Sequence, residues 1–308
     1  MNNIIAAGTN KIIAGSYLIG MDGHFVPYDG LGDGDNQLIN IIDGDGSTIH
    51  NTYERDIYIH TCEVLKDWHD KGLISKDAPI YSGAAEATIA ADDGFGYFQS
   101  YSDGTVLSAS GANGHDMTII YVVDNSLVTT GKLRQFTWAV PSTAQEPEAA
   151  LKFLNLLYTD AELVNLITWG IEGVHYQKLE DGTITFMDGE DVASCKYYVS
   201  WPFLGNSFLD GILVRAGSDP GLPAVWRESN HKAKVTDFNG FSFDSSSMTN
   251  EITIITSVVE EYRPSMACGQ YTEERYNEFV EKLKASGVDD YIAMIQEQLD
   301  AWLAAKGE

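Results

Sequence analysis

Basic side chains are scarce in this sequence. Nineteen Lys and Arg stand against 45 Asp and Glu, a formal charge of −26 over 308 residues. Phosphate recognition needs clustered cations, so the balance excludes nucleic acid as a partner and describes an acidic, solvated surface instead. Cysteine is scarce too. Cys62, Cys195 and Cys268 lie far apart and form no Cys/His ligand spacing, so neither a disulfide framework nor a zinc site follows. No run of about 18 apolar residues occurs, which leaves no segment for a membrane-spanning helix. Residues 1–20 show no basic stretch before an apolar one, no A-x-A pattern and no lipid-attachment cysteine. For an exported protein, the expectation is that the targeting segment lies outside this sequence.

Catalytic and nucleotide signatures are missing as well. His24, His50, His60, His69 and His175 sit in no H-E-x-x-H pattern, and no G-x-S-x-G elbow offers a serine nucleophile. No Gly-rich phosphate loop opens a helix after a strand. We therefore expect no catalytic residue, no cofactor and no resident metal. Asp43, Asp45, Ser47 and Glu54 do put oxygens at positions 1, 3, 5 and 12 of a calcium loop. Thr48 occupies the turn position where such a loop requires glycine, so an acidic hairpin loop is the expectation there. Among so many carboxylates some pair falls at glycosidase separation by chance, which keeps a carbohydrate-active hydrolase as a rival. A cell-surface interaction module is a further alternative.

What is present is a mixture of strands and helices. About 44% of residues are apolar, enough for a buried core, and the length suits a two-lobed molecule. Lys11–Ile13 and Leu38–Ile42 read as strands, as do 96–101 and 117–123. Ile57, Thr61, Val64, Leu65 and Trp68 fall at helical spacing ahead of Gly72. Pro147 starts a helical block whose stripe is Leu151, Leu154, Leu157 and Tyr158, and Thr159 with Glu162 reads as a capping box that restarts it as far as Trp169. Residues 177–250 read as irregular and strand-like. Three stripes follow: Ile252, Ile255, Val259 and Tyr262; Tyr276, Phe279, Val280 and Leu283, closed by Gly287; and Tyr291, Ile295, Leu299, Trp302 and Leu303.

Aromatic residues beside turns and amides are the functional lead. Tyr97, Phe98 and Tyr101 lie in a predicted strand with polar Gln99 and Ser100. Trp169 ends a helix, Trp201 and Phe203 share a segment with Asn206, and Phe241 and Phe243 flank a loop. Rings stack on the C–H faces of a pyranose while amides bond its hydroxyls, so the expected ligand-binding set is Tyr101, Trp169, Trp201, Asn206, Phe241 and Phe243.

The block Pro147–Asp160 with Trp169-Gly-Ile-Glu-Gly-Val-His-Tyr176 resembles bacterial extracellular solute-binding proteins of ABC importers. The likeness is to the lipoprotein branch with a distinctive C-terminal domain. Trp201–Phe208, Phe241–Asp244 and Asn250 through Leu303 carry it further. The resemblance implies an α/β fold of the type II periplasmic-binding-protein kind, two lobes closing on a ligand, with the N-terminal lobe largely missing here. It places 1–120 and 190–308 in the C-terminal lobe and 121–189 in an excursion into the N-terminal one. It further implies capture of a solute, an oligosaccharide, for delivery to permease subunits. The location would be extracellular, held to the membrane only through a lipid anchor absent from this chain. In that family the stripe of the 147–169 helix packs on a sheet built largely from the missing part. The expectation is therefore either association with another chain or rearranged packing of that segment.

Overall fold

The structure, a computed structural model, describes residues 11–13, 28–33, 38–42, 45–81, 83–98, 109–110, 114–120, 127–134, 137–191, 194–199 and 205–307. In chain order its strands are β1 (Ile12–Ile13), β2 (Tyr28–Asp29), β3 (Ile39–Ile42), β4 (His50–Asn51), β5 (Gly94–Gly96), β6 (Leu127–Val128), β7 (Tyr176–Lys178), β8 (Ile184–Phe186) and β9 (Lys234–Val235). The helices are α1 (Asp56–Asp70), α2 (Ala85–Ala90), α3 (Thr130–Arg134), α4 (Pro147–Thr159), α5 (Ala161–Trp169), α6 (Leu222–Lys232), α7 (Thr249–Met266), α8 (Glu273–Ala285) and α9 (Val288–Lys306). No described helix is long and apolar enough to cross a membrane.

The chain divides into two compact units. The first comprises Met1–Gln99, Gly111–Arg134 and Lys234–Glu308; the second comprises Ser100–Ser110 and Gln135–Ala233. These divisions fall at other positions than the 120/121 and 189/190 boundaries expected from the sequence.

In the first unit β2, β3 and β4 form an antiparallel sheet, while β1 pairs with β5 and β6 with β9 in parallel. Its core is where the three C-terminal stripes meet. Ile255, Val259, Tyr262 and Met266 of α7 pack with Phe279 and Leu283 of α8 and with Tyr291, Ile295 and Leu299 of α9. Burial of such a cluster is the main source of stability for this unit. Tyr262 stacks on Phe279 at 5.3 Å, and Tyr53 meets the same ring edge-on at 5.0 Å. Helix α1 buries Thr61 and Leu65 of the expected stripe together with Tyr58 and Cys62, while Ile57, Val64 and Trp68 are half-buried.

The second unit holds α4, α5, the β7–β8 hairpin and α6. Its core gathers Trp169, Tyr176, Ile184 and Phe186 under Tyr198 and Leu213. α4 and α5 meet at Thr159–Asp160 as expected, but the cap differs. The Asp160 carboxylate accepts from the Leu163 N–H at 3.1 Å, while the Thr159 hydroxyl donates back to the Asn155 carbonyl at 2.9 Å. Asp160 is thus the N-cap of α5, and no capping box forms.

Three further expectations are corrected. Residues 97–98 and 117–120 are irregular, so the strand near 96 is confined to β5 and the described part of 117–123 holds none. The rest of both segments is outside the described residues. Within the stretch read as strand-like lies a helix, α6, with proline in its first turn. Its apolar residues form one block, Leu222 to Trp226, followed by the polar run Arg227–Lys232, so no stripe recurs along its length to mark it as a helix.

Candidate functional site

The W-G-I-E-G-x-H-Y string builds a tight loop at the end of α5. Gly170 has φ +80°, and a Cβ there would lie 2.3 Å from His175 Nδ1 and 2.9 Å from Tyr197 Cδ1, so only glycine fits. The Ile171 N–H donates to His175 Nδ1 at 2.9 Å, the His175 N–H donates to the Ile171 carbonyl at 2.9 Å, and the Gly173 N–H donates to the Tyr176 carbonyl at 2.7 Å. The loop is therefore closed on itself before β7 begins.

Beneath it Trp169 turns inward. Its ring stacks on Tyr198 at 4.9 Å, its indole N–H donates to the Leu213 carbonyl at 3.2 Å, and it is 8% exposed. Burial also pushes the Tyr198 hydroxyl pKa upward. Above it Tyr197 turns outward. Its hydroxyl donates to the Ile167 carbonyl at 2.6 Å, its ring sits 5.4 Å from that of His175, and 37% of the residue is open to solvent. A ring tied at its hydroxyl and partly open to solvent is available for stacking. No pattern in the sequence singled out Tyr197, because its partners are some 20 to 30 residues away along the chain.

Asn206 is anchored at the α4–α5 corner. Its N–H donates to the Leu157 carbonyl at 2.8 Å and its Oδ1 accepts from the Phe208 N–H at 2.9 Å. Gly205 permits this approach, since a Cβ there would fall 2.6 Å from the Leu157 carbonyl oxygen. Beyond it, Phe208 is exposed and tilts against Trp226 at 6.4 Å, and Arg227 donates to the Phe208 carbonyl and to Asp210. The half-buried Asn206 amide keeps hydrogen-bonding capacity to spare.

Phe241 and Phe243 belong to the first unit. Phe241 is 2% exposed and packs against Phe243 and Trp302. Its ring offers no open face, so in this structure it serves the core. Phe243 is half-buried and meets Tyr291 edge-on at 6.2 Å. Tyr101 and Trp201 lie outside the described residues. The structure thus places Trp169 at the C-terminal end of α5 and Asn206 at the α4–α5 corner, and brings Phe241 and Phe243 together.

The carboxylates of the acidic hairpin are engaged by protein groups. Asp45 accepts from the Ile42 N–H and pairs with Arg55 at 3.1 Å; despite the opposing effect of burial, those contacts hold its pKa below the ordinary value. Glu54 pairs with Lys284 at 2.6 Å and accepts from the Asn51 amide. Asp43 is outside the described residues, and among those described no three His, Cys, Asp or Glu side chains are grouped to hold a metal ion.

Comparison with known proteins places this geometry. The chain superposes on the N-glycan transport solute binding protein (NgtS) from Streptococcus pneumoniae with a TM-score of 0.76, over 98% of this chain and 65% of that one, at 19% identity. Its fold is that of the sugar solute-binding proteins. The α/β type II periplasmic-binding-protein architecture expected from the sequence is therefore the one it has. The same protein in complex with Man1GlcNAc matches with a TM-score of 0.71 over 97% and 66%, also at 19% identity. In sequence, the chain is 24% identical over 263 residues to the polygalacturonan/rhamnogalacturonan-binding protein YtcQ of Bacillus subtilis, covering 81% of this chain and 51% of that protein. It is 21% identical over 272 residues to a carbohydrate ABC transporter substrate-binding protein of S. pneumoniae, covering 86% and 54%. The chain with this solute-binding fold thus spans about half the length of the curated relatives it matches. Residues 237–304 match the domain described as "Domain of unknown function (DUF3502)", which takes in all of α7 and α8 and most of α9.

Proposed function

We propose that this chain is the ligand-gripping part of an extracytoplasmic protein that captures a carbohydrate and passes it to the permease of an ABC importer, making and breaking no bond. The observation that carries this reading is the superposition of 97% of the chain on a solute-binding protein in complex with Man1GlcNAc. The two sequence relatives, both carbohydrate-binding by name, support the same class. Under this reading the unit holding α7, α8 and α9 is the C-terminal lobe and the unit holding α4 and α5 belongs to the N-terminal one. In the complete form it would be held at the cell surface by a lipid anchor.

The binding surface proposed in the second unit rests on exposed rings held by fixed backbone contacts. Tyr197 beside His175 and Phe208 beside Trp226 supply stacking faces, and Asn206 supplies hydroxyl hydrogen bonds. Trp169 supports Tyr197 from below through Tyr198 and the Gly170 loop. Tyr101 and Trp201 are retained as proposed contacts of the second unit, and Phe243 as one of the first.

Calorimetric titration with the oligosaccharides Man1GlcNAc and Man5GlcNAc and with oligogalacturonates tests this, coupled to product analysis of the same mixtures. The expected result is heat of binding to at least one with the sugar recovered intact, and a loss of about tenfold in affinity for Tyr197→Ala or Asn206→Ala. Released product that depends on a single Asp or Glu would establish a hydrolase instead.

A further inference from the structure

Both ring pairs of the second unit are flanked in the chain by cations, and each of those cations is tied to a carboxylate. Lys178, in β7 just after the His175 loop, pairs at 2.8 Å with Glu172 of that loop. Lys196, next to Tyr197 in the chain, pairs with Glu190 at 3.7 Å. Arg227, next to Trp226, pairs with Asp210 at 3.0 Å and also donates to the Phe208 carbonyl. Only three further Lys and Arg belong to this unit. Lys232 pairs with Glu228 at 3.1 Å, Lys152 lies exposed on α4, and Arg215 is half-buried with its charge acting on Tyr198, the inward ring. His175 adds no charge in this arrangement, because its Nδ1 accepts the Ile171 N–H. The unit thus sets six Lys and Arg against fourteen Asp and Glu, within a chain that carries −26.

We infer that this unit's share of the sugar surface selects an uncharged oligosaccharide and rejects a polyuronate, an inference that rests on the sugar-binding reading above. A uronate carboxylate needs a free guanidinium or ammonium partner, since an anion taken out of water unpaired is costly. At both ring pairs that partner is already held. An arriving uronate would have to displace a carboxylate tethered to the same chain, and would bring its own charge against Glu172, Glu190 and Asp210. Sugar hydroxyls meet no such opposition, because they are uncharged and bond to either member of an ion pair. The field of the whole chain acts in the same direction by slowing the approach of anions.

The test titrates the full chain by calorimetry with Man1GlcNAc, Man5GlcNAc, an oligogalacturonate and the fully methyl-esterified form of that same oligogalacturonate. The tightest ligand is expected to be one of the neutral sugars, with the oligogalacturonate at least about tenfold weaker. Added salt should narrow that gap, since screening shortens the reach of the repulsion. Glu172→Gln with Asp210→Asn frees Lys178 and Arg227 at nearly unchanged side-chain size. The double variant should raise oligogalacturonate affinity severalfold relative to the neutral sugar, with circular dichroism unchanged. Oligogalacturonate binding as tight as that of the best neutral sugar would overturn the inference and leave the sugar-binding reading standing. A gap that the double variant leaves unaltered would overturn it as well. Heat from none of the four would remove the sugar-binding reading itself, and the inference with it.

Discussion

Single side chains decide which rings in this molecule can meet a ligand. Trp169 was marked by its place at a helix end, yet its indole N–H finds the Leu213 carbonyl and its ring goes inward, leaving Tyr197 as the open ring. The sequence makes a tryptophan at a turn legible but does not say which of two sides it takes, because the Leu213 acceptor comes from 44 residues away. Gly170 is the joint between the two rings. Gly170→Ala would force a Cβ into the His175 ring at positive φ, and we expect a loss of about 1–3 kcal/mol in urea unfolding of the second unit; an unchanged midpoint would contradict the assigned geometry. In the first unit Asp33 accepts from the Tyr291 hydroxyl and the Leu38 N–H, both at 2.6 Å, but burial outweighs these contacts and its pKa is pushed up to about 6. Because the folded value lies above the unfolded one of about 3.8, the folded state binds the proton more tightly. Stability relative to Asp33→Asn should therefore fall by about 1–2 kcal/mol as pH rises from about 4 to 6, since the half-buried site keeps part of its solvation. Denaturation of both proteins across that range checks it, and a difference that grows with pH would refute the sign.

At the scale of elements, legibility followed amphipathic contrast. The stripes of α7, α8 and α9 were readable because each alternates a strong apolar seam with acidic and basic positions, and those seams meet in one core. α6 was not readable, since its only buried positions are Leu222 and Pro223 in the first turn. The two-residue strands β2, β4, β6 and β9 carry too little pattern to locate, whereas β1 lies within the readable Lys11–Ile13 run; β1 and β6 find their partners more than 80 residues along the chain. The α4–α5 corner was legible, its chemistry less so: the cap is the Asp160 carboxylate. Asp160→Ala should cost about 1 kcal/mol in the stability of the second unit, whereas Thr159→Ala should cost little. Equal losses from the two changes, measured by thermal unfolding, would restore the capping-box reading.

For the whole molecule, the fold was legible through a resemblance concentrated in a few strings, and those strings mark places where the backbone has little choice. Trp169 through Tyr176 is one: a glycine that tolerates no Cβ, a histidine accepting from the backbone, and a ring beneath. The six expected ligand contacts were less legible than the fold. Aromatic residues near turns serve cores as readily as ligands, and Phe241 is the clear instance, sealed between Phe243 and Trp302. Solute capture predicts that the folded state gains stability from the sugar by mass action, about 2.7 kcal/mol at a concentration one hundred times Kd. Thermal unfolding across a panel of oligosaccharides is the most direct measurement of that claim. The account predicts a melting temperature raised by several degrees for one class of oligosaccharide, in proportion to the logarithm of its concentration; a melting temperature unmoved by every sugar in the panel would contradict it.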